Sequence, residues 1–478
     1  MTDTDISRRV FLGGALAAIG GTALPFDLFA TDGKPLVKLG VLSDIHIGGR
    51  KEAPKYLENA LRWLDARGVE AILSPGDIAH SGRIYQMLEF AKVWHKVFPG
   101  NRNKAGRKID LMISTGNHDA WEYKGDKYTE AWRTKELLTY KDNPVRFWDE
   151  QFGMKWDLVW RNEVNGVTFI GSQWPSLKPD LEGFMKTHGK EFDPNLPFFH
   201  CQHEHPLGTC HGSYGCGYDK GQTVRAFANH PNAVVFSGHS HCSVVDERAV
   251  WQGAFTSIGA GCVHEGGLAF THDNCSAFWH PSHKKHLMKP LNDAANWGGD
   301  CEGGCFLFVE VYADRLVVHR RSSVWDLPMG PDWIVPIPAK GQGPFDFKLH
   351  AAKRSAPQFA PEAAVTVQVC PQGHDLEGVG HRNEPCVYVT FPAARPVDGC
   401  RVFDYVVTAK AAGKAVSTKM LFAAGGLLPP DKFDRPTECL FSLKELPAGK
   451  DVTFEIVPRE CFGAAGRALA SAPLTLPA

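Results

Sequence analysis

Residues 109–119 read IDLMISTGNHD, an apolar run that ends in glycine, asparagine, histidine and aspartate. The run has the length and content of a buried strand, and Gly116 lets the chain turn sharply behind it. Polar side chains placed directly after a buried strand are typical of binding sites at the carboxyl edge of an open α/β sheet. This stretch therefore predicts both a sheet and a functional edge.

The same arrangement occurs three more times in the chain. The other apolar runs end in Asp44-Ile45-His46, in Gly76-Asp77 and in Gly238-His239-Ser240-His241, and His200, His203 and His205 follow or interrupt a further run. Carboxylate, amide and imidazole groups in this number suit a pair of divalent metals. We infer that four strand ends converge on one crevice and hold a dinuclear metal site.

The segments between the first runs predict helices. In residues 54–67, Leu57, Leu61 and Leu64 repeat at helical spacing, and Gly68 ends the segment. A second helix before Pro99 carries Ile84, Leu88 and Ala91 on one face. The order β-α-β-α-β predicts an α/β fold, with a sheet that helices cover on both faces.

The chain continues with further strands of the same domain. They are predicted at 156–174 as a hairpin turning at Asn165-Gly166, at 198–201, at 233–237 after a helix at 223–229, and at 306–321 as a hairpin turning at Ala313-Asp314. The catalytic domain is therefore expected at 35–325.

The residue types indicate the chemistry. Asp44 and His46 can face one metal, and the two oxygens of Asp77 can bridge two metals. The neutral amide of Asn117 leaves the centre cationic, which attracts phosphate. Two metals about 3.5 to 4 Å apart share a water and supply a hydroxide for in-line attack on phosphorus. His118 is placed to protonate the leaving oxygen, and Asp119 could fix its tautomer.

The ordered motifs from Asp44 to His241 resemble the calcineurin-like metallophosphoesterase superfamily. The resemblance implies a four-layer α+β sandwich of sheets flanked by helices, and a hydrolase acting on phosphoric ester bonds, on either mono- or diesters. It implies one metal on Asp44, His46, Asp77 and His241, a second on Asp77, Asn117, His203 and His239, and His118 as the general acid. Iron, manganese and zinc all fit these ligands.

The histidine cluster leaves a choice of ligand. His203 is preferred because the family's strand is usually followed by a polar residue, then the ligand, with a proline shortly after. His200 lies inside the strand and is typical of a core histidine, whereas His205 stays an alternative ligand. His80 stands where the purple acid phosphatases of this superfamily carry a tyrosine ligand, which argues against a tyrosinate-iron centre.

Residues 1–30 resemble a twin-arginine signal peptide. They contain Ser7-Arg8-Arg9-Val10-Phe11-Leu12 followed by an apolar, Gly- and Ala-rich stretch. The resemblance implies a bacterial periplasmic or secreted enzyme that folds and takes up its metals before export. A chance arginine pair is the alternative.

Charge and length limit the partners. The chain has 478 residues with 52 basic and 53 acidic side chains, and its net charge of -1 gives no footprint for nucleic acid or an anionic membrane. No apolar run past residue 30 approaches the roughly 18 residues of a membrane span. We expect a small phosphoester substrate and leave the oligomeric state open.

The composition changes after the catalytic domain. Residues 326–363 hold seven prolines and are expected to be a linker or strap. Residues 364–478 predict short alternating strands, a β-sandwich resembling fibronectin type III or immunoglobulin-like modules. If the metals only stiffened the fold, the chain would be a catalytically inactive relative that binds a partner through this sandwich.

Two long segments of the catalytic domain are rich in glycine, cysteine, histidine and aromatic residues. Residues 208–221 and 261–304 are expected to form a substrate-recognition lid, with Lys284, Lys285 or Arg50 as possible phosphate contacts.

All thirteen cysteines lie at or beyond Cys201. Cys210 with Cys216, and Cys301 with Cys305, are equally compatible with loop disulfides and with buried thiols.

Overall fold

The structure is a computed structural model that describes most of the chain from residue 33 onward. The described residues are 33–119, 144–155, 157–174, 179–210, 219–264, 304–339, 343–353, 355–376, 380–382, 384–397, 402–423 and 436–478.

The first sheet contains the strand that precedes Gly116-Asn117-His118-Asp119. Its strands are β1 (Val37–Val41), β2 (Ala71–Ser74), β3 (Asp110–Ile113), β10 (Cys305–Val311), β11 (Arg315–Ser322) and β12 (Trp333–Pro336), in the order β12-β11-β10-β1-β2-β3. β1, β2 and β3 are parallel, and β10, β11 and β12 extend the sheet antiparallel from β1. β12 lies within the segment expected to be a strap.

Two helices cover the outer face of this sheet. α1 (Ala53–Ala66) buries the predicted Leu57, Leu61 and Leu64, and Leu64 packs so closely on β1 that a Cβ at Gly40 would touch it. α2 (Ile84–Val97) packs against α1. The helices therefore lie on one face, and the expected coverage of both faces is wrong, because the other face packs against a second sheet.

The helix α2 buries the predicted Ala91 but not Leu88. Leu88 is 49% exposed, whereas Phe90 and Trp94 are buried. The two aromatic rings remove more apolar surface from water than Leu88 and therefore determine which face is buried.

The second sheet has the order β4-β5-β6-β7-β9-β8. Its strands are β4 (Val159–Val164), β5 (Val167–Ser172), β6 (Phe198–Cys201), β7 (Ala233–Ser237), β8 (Val250–Gln252) and β9 (Thr256–Gly259), and the helix α3 (Pro144–Phe152) precedes them. α4 (Leu181–His188) and α5 (Gln222–Ala226) share an apolar core with its outer face. Its inner face shares one core with the first sheet. The predicted α/β fold of four layers is confirmed.

In its described residues the C-terminal part consists mainly of β-strands, with the short helix α6 (Phe347–Ala352) before them and a 3₁₀ turn at Leu443–Glu445. One sheet contains β13 (Thr366–Cys370), β16 (Cys386–Phe391) and β19 (Thr437–Ser442); the other contains β17 (Asp404–Ala411), β18 (Lys414–Phe422), β20 (Asp451–Arg459), β21 (Leu469–Ala470) and β22 (Leu474–Thr475). β14 (His374–Leu376) and β15 (Gly380–Arg382) form a separate hairpin. The two larger sheets share one apolar core, in which Phe441 and Phe454 lie 5.2 Å apart.

The C-terminal sheets contact the catalytic domain directly behind its last motif. Residues 242–250 are buried, and the guanidinium of Arg248 lies 4.6 Å from the ring centre of Phe403. Arg248 pairs with Asp246 at 2.6 Å, and Arg320 pairs with Glu247 at 3.0 Å. The buried charges thus balance in pairs, as burial requires. Among the helices of the described segments, none is long and apolar enough to span a membrane.

Candidate metal centre

The predicted ligands lie at the carboxyl ends of five strands. Asp44 and His46 follow β1, Asp77 follows β2, Asn117 follows β3, His203 follows β6, and His239 and His241 follow β7. The first three strands belong to one sheet and the last two to the other. The site therefore lies where the carboxyl edges of two packed sheets meet.

One group of side chains consists of Asp44, His46, Asp77 and His241. Their ligand atoms all lie within 4.8 Å of one another. His241 Nε2 is 3.0 Å from Asp44 Oδ1 and 3.1 Å from His46 Nε2. His46 Nε2 is 3.7 Å from Asp77 Oδ2. This is the set expected around one metal.

A second group consists of Asp77, Asn117, His203 and His239. Asn117 Oδ1 lies 2.9 Å from both His203 Nε2 and His239 Nδ1. His203 Nε2 lies 3.2 Å from Asp77 Oδ2. Asp77 belongs to both groups, which is the position a bridging carboxylate requires.

The hydrogen bonds behind these side chains indicate that a cation fits between them. His203 Nδ1 lies 2.7 Å from the carbonyl oxygen of Pro75. A carbonyl only accepts, so Nδ1 donates and the neutral ring presents a bare Nε2 to the site. Asp77 Oδ2 is buried and faces that Nε2 at 3.2 Å. Facing lone pairs of this kind suit two divalent cations.

Without metal, protons take the place of positive charge. Burial disfavours charge on His203, but Asp77 and other nearby carboxylates outweigh it and raise the pKa of His203 to about 10. Burial alone would raise the pKa of Asp44, yet His241 beside it lowers that pKa to about 2. Burial and His203 lower the pKa of His239 to about 4. The site therefore holds its carboxylates ionised.

The backbone at the site is strained. Five of the seven predicted ligands have positive φ angles: Asp44 at 53°, His46 at 49°, Asp77 at 54°, His239 at 66° and His241 at 54°. Non-glycine residues rarely adopt this conformation, and each instance costs about 1 to 3 kcal/mol. Strain concentrated on one set of polar residues marks a site at which the surrounding fold fixes side-chain direction.

Two motif glycines are required by close approach. A Cβ at Gly116 would overlap the carboxylate of Asp77, and a Cβ at Gly238 would overlap Ser43 and Asp44. The glycine in each motif thus lets two strand ends approach until their ligands share a site.

His118 is oriented by the carbonyl group of His80, whereas the sequence led us to expect Asp119 in this role. His118 Nδ1 lies 2.8 Å from the carbonyl oxygen of His80, so that carbonyl selects the tautomer. Asp119 instead accepts the backbone N–H groups of Asp77, Ala79 and Gly116 at 2.8 to 2.9 Å. Asp119 therefore joins the loops after β2 and β3. Burial and Asp77 raise the pKa of Asp119 to about 7.

The other two histidines of the cluster lie elsewhere. His200 is buried, with Nε2 2.9 Å from Ser172 Oγ, and burial lowers its pKa to about 3. His205 has Nδ1 2.6 Å from Ser237 Oγ and Nε2 2.7 Å from Ser240 Oγ. Both His205 nitrogens are thus engaged by hydroxyls, and of the three histidines His203 is the one grouped with the other predicted ligands.

Sequence reasoning missed two residues beside the site. Cys262 Sγ lies 3.1 Å from the carbonyl oxygen of Asp44, and Cys262 contributes to the raised pKa of His241. His264 is buried, and its ring lies 5.4 Å from that of His46. Both lie at the start of segment 261–304, the expected lid, and the signal for them in the sequence is Cys-Val-His directly after β9.

Several expected features lie outside the described residues. These are Lys284, Lys285, Cys216, Cys301 and the greater part of both lid segments. The nine cysteines in the described ranges, including Cys210 and Cys305, are buried and in the thiol form. Arg50 is described and follows the loop that carries Asp44 and His46.

The fold and the chemistry of the site define a hydrolase that acts on phosphoric ester bonds. Residues 37–243 match the sequence model of the family described as calcineurin-like phosphoesterase. This segment, which spans all the predicted ligands, is therefore a calcineurin-like phosphoesterase domain. No curated protein matches the chain.

Solved structures that resemble the chain do so at low identity. A dimetal phosphatase from Danio rerio is 12% identical over 62% of this chain and 99% of its own, with a TM-score of 0.36. A predicted phosphoesterase from Streptococcus pneumoniae is 12% identical over 63% and 97%, with a TM-score of 0.27. A purple acid phosphatase from yellow lupin seeds is 10% identical over 61% and 52%, with a TM-score of 0.34.

Proposed function

We propose that the chain is an exported dinuclear-metal phosphoesterase that hydrolyses phosphate mono- or diesters, with His118 as the general acid. The observation that carries the proposal is the position of Asp77, which belongs to two adjoining groups of ligand atoms. The metal ligands are Asp44, His46, Asp77, Asn117, His203, His239 and His241. Iron, manganese or zinc occupies them.

The metals supply charge neutralisation for the phosphate and a water of lowered pKa. The chain's own residues do the rest. The Pro75 carbonyl fixes the tautomer of His203, and the backbone N–H of His118 donates to Asp77 Oδ1 at 2.7 Å. Asp77 is thereby held so that its other oxygen points between the two groups.

His118 is suited to deliver a proton. Its Nδ1 donates to the His80 carbonyl, so the proton it transfers is the one on Nε2 of the charged ring. His118 is partly exposed beside buried ligands, a position from which a substrate oxygen can be reached. A positioned acid of this kind contributes about 10²- to 10⁴-fold to the rate.

Replacement of His118 tests the acid role. We expect His118→Ala to lower turnover at least about 100-fold on an alkyl phosphate, whose leaving oxygen needs the proton. The loss should be smaller on a nitrophenyl phosphate, whose leaving group departs without help. Metal content, measured by elemental analysis, should stay near two per chain.

The half-exposed His188, on α4, provides the control. His188→Ala should leave both substrates and the metal content unchanged. Equal losses of His118→Ala on the two substrates, or unchanged activity, would exclude the acid role. Loss of metal from His118→Ala would show that His118 belongs to the metal-binding set instead.

Export is the second part of the proposal. It rests on Arg8 and Arg9 and the apolar stretch behind them, and it is consistent with a site that needs five strand ends from a completed fold. An exporter of folded proteins allows the metals to be bound in the cytoplasm.

A further inference from the structure

Two cysteines of the C-terminal domain face one another across a pair of strands. β13 and β16 are antiparallel, and their register sets Cys370 directly opposite Cys386. The side chains are 6% and 3% exposed, so both thiols are buried. Within the register of the described strands, this is the one place where two cysteines are partners.

The backbone geometry already suits a disulfide. Directly opposed residues of antiparallel strands point to the same face, with Cα atoms about 4.5 to 5.5 Å apart. Disulfides span Cα separations of about 4.4 to 6.8 Å. The bond can therefore form without movement of either strand, whether the two cysteines are a hydrogen-bonded or a non-hydrogen-bonded cross-strand pair.

We propose that Cys370 and Cys386 are a site of oxidation and form a disulfide when the folded protein meets a thiol oxidant. The bond would close the base of the fifteen-residue excursion 371–385, from which the hairpin β14–β15 is built. Its constraint on the unfolded chain would stabilise the domain.

The oxidant is a disulfide-bearing molecule, either a protein or glutathione. The thiolate of one cysteine attacks the oxidant's disulfide, which forms a mixed disulfide and releases one thiolate. The second cysteine attacks the mixed disulfide and releases the other. Overall two thiols lose two protons and two electrons, and the oxidant becomes two thiols. His374 Nδ1, 3.8 Å from Cys370 Sγ, can accept the first proton.

Peptide mapping of the full-length protein tests the proposal. The protein is equilibrated in glutathione buffers from reducing to oxidising, quenched with acid and unfolded, and its remaining thiols are alkylated. Tryptic peptides are then analysed by mass spectrometry without reduction. Trypsin cleaves after Arg382, so the two cysteines fall on separate peptides. The expected product is the peptide pair 355–382 and 383–401, in which fragment ions assign the bond to Cys370 and Cys386 rather than to Cys400 of the second peptide.

Cys439 is the matched control, because it is buried in the same sheet but lies opposite Val389. It should be found alkylated in every buffer. Alkylation of both Cys370 and Cys386 in the oxidising buffer, or only glutathione adducts on them, would overturn the proposal. A bond from Cys370 to any other cysteine would overturn it as well.

Thermal unfolding gives a second readout. The oxidised wild-type protein should unfold at a higher midpoint temperature than the reduced protein. This difference should vanish in Cys370→Ser/Cys386→Ser and persist in Cys439→Ser. If the double variant does not fold, peptide mapping of the wild-type protein still decides. Neither readout depends on phosphoesterase activity, so this proposal and the proposed function fail separately.

Discussion

At the scale of single residues, the site buries negative charge that a bound cation would neutralise. Two ionised carboxylates, Asp44 and Asp77, lie buried among imidazoles. In the metal-free protein His203 and His241 supply the compensating charge, since neighbouring anionic groups outweigh burial and raise the pKa of both, that of His203 to about 10. Protonation of His203 stabilises the metal-free fold fully below about pH 6.5, the ordinary pKa of histidine. The contribution is lost as the pH rises through about 10.

Metal binding should consequently depend on pH. A cation must displace the proton from His203, because a ligand nitrogen must be bare. We expect affinity to fall about tenfold for each pH unit lowered, per proton displaced, across neutral pH. Competition of zinc with a chelator at several pH values measures the slope, and calorimetry in two buffers counts the protons released.

His200 offers a matched comparison, because it lies three residues earlier and is bonded to Ser172 rather than to the site. His200→Gln should keep the slope of the wild-type protein. A metal affinity that does not change with pH in the wild-type protein would show that no ligand is protonated before the metal binds.

At the scale of elements, the loops after β2 and β3 are joined by one carboxylate. Asp119 accepts N–H groups from Asp77 and Ala79, which follow β2, and from Gly116, which follows β3. Backbone N–H groups buried without an acceptor are costly. The strained conformation of Asp77 depends on such contacts for its persistence.

Replacement of Asp119 distinguishes its role in joining the two loops from the sequence-based expectation that it fixes the tautomer of His118. At pH 8, above the raised pKa of about 7, we expect Asp119→Asn to lower the free energy of unfolding by about 2 to 4 kcal/mol. It should also reduce metal content, because an amide N–H₂ would face backbone donors. Urea unfolding and elemental analysis measure the two effects.

Asp110, a partly buried residue at the start of β3, is the control, and Asp110→Asn should change neither quantity substantially. If Asp119→Asn kept its stability and two metals but lost turnover, the carboxylate would act on His118 after all.

At the scale of the whole molecule, the C-terminal domain packs directly against the catalytic domain. The buried segment after His241 is held from one side by Arg320, which donates to the carbonyl of Val244 at 2.9 Å. From the other side Phe403 packs on Arg248. Two of the predicted ligands thus lie a few residues from a domain contact.

The proposed export is also tested at the scale of the whole molecule. In a bacterium with twin-arginine export, Arg8→Lys/Arg9→Lys should leave the protein in the cytoplasm, folded, metal-loaded and active, because the arginine pair is the signal that the exporter reads. Cell fractionation followed by phosphatase assay measures the distribution. Arg102→Lys/Arg107→Lys, a pair on the exposed surface, should be exported as the wild-type protein is. If Arg8→Lys/Arg9→Lys were distributed as the wild-type protein is, the arginine pair would not be an export signal.

Much of this architecture is local and could be predicted from the sequence. Apolar runs such as Phe198–Cys201 and Ala233–Ser237 have the observed strand bounds, because a strand buried on both faces needs no long-range information to be recognised. The turn at Asn165-Gly166 is of the same kind, since both residues adopt the positive φ that a tight hairpin demands.

Other features were decided only by the tertiary structure. The sequence supplied the ligand types, but His203 was separated from His200 and His205 by which hydroxyls and carbonyls surround each ring. The partner of Asp119, the proximity of Cys262, and the facing of Cys370 and Cys386 likewise depend on how strands distant in sequence pair and pack. Composition and periodicity determine which segments become strands and where polar groups follow them. The direction of a buried side chain is determined by neighbours from other elements, and these are in place only when the two sheets have packed.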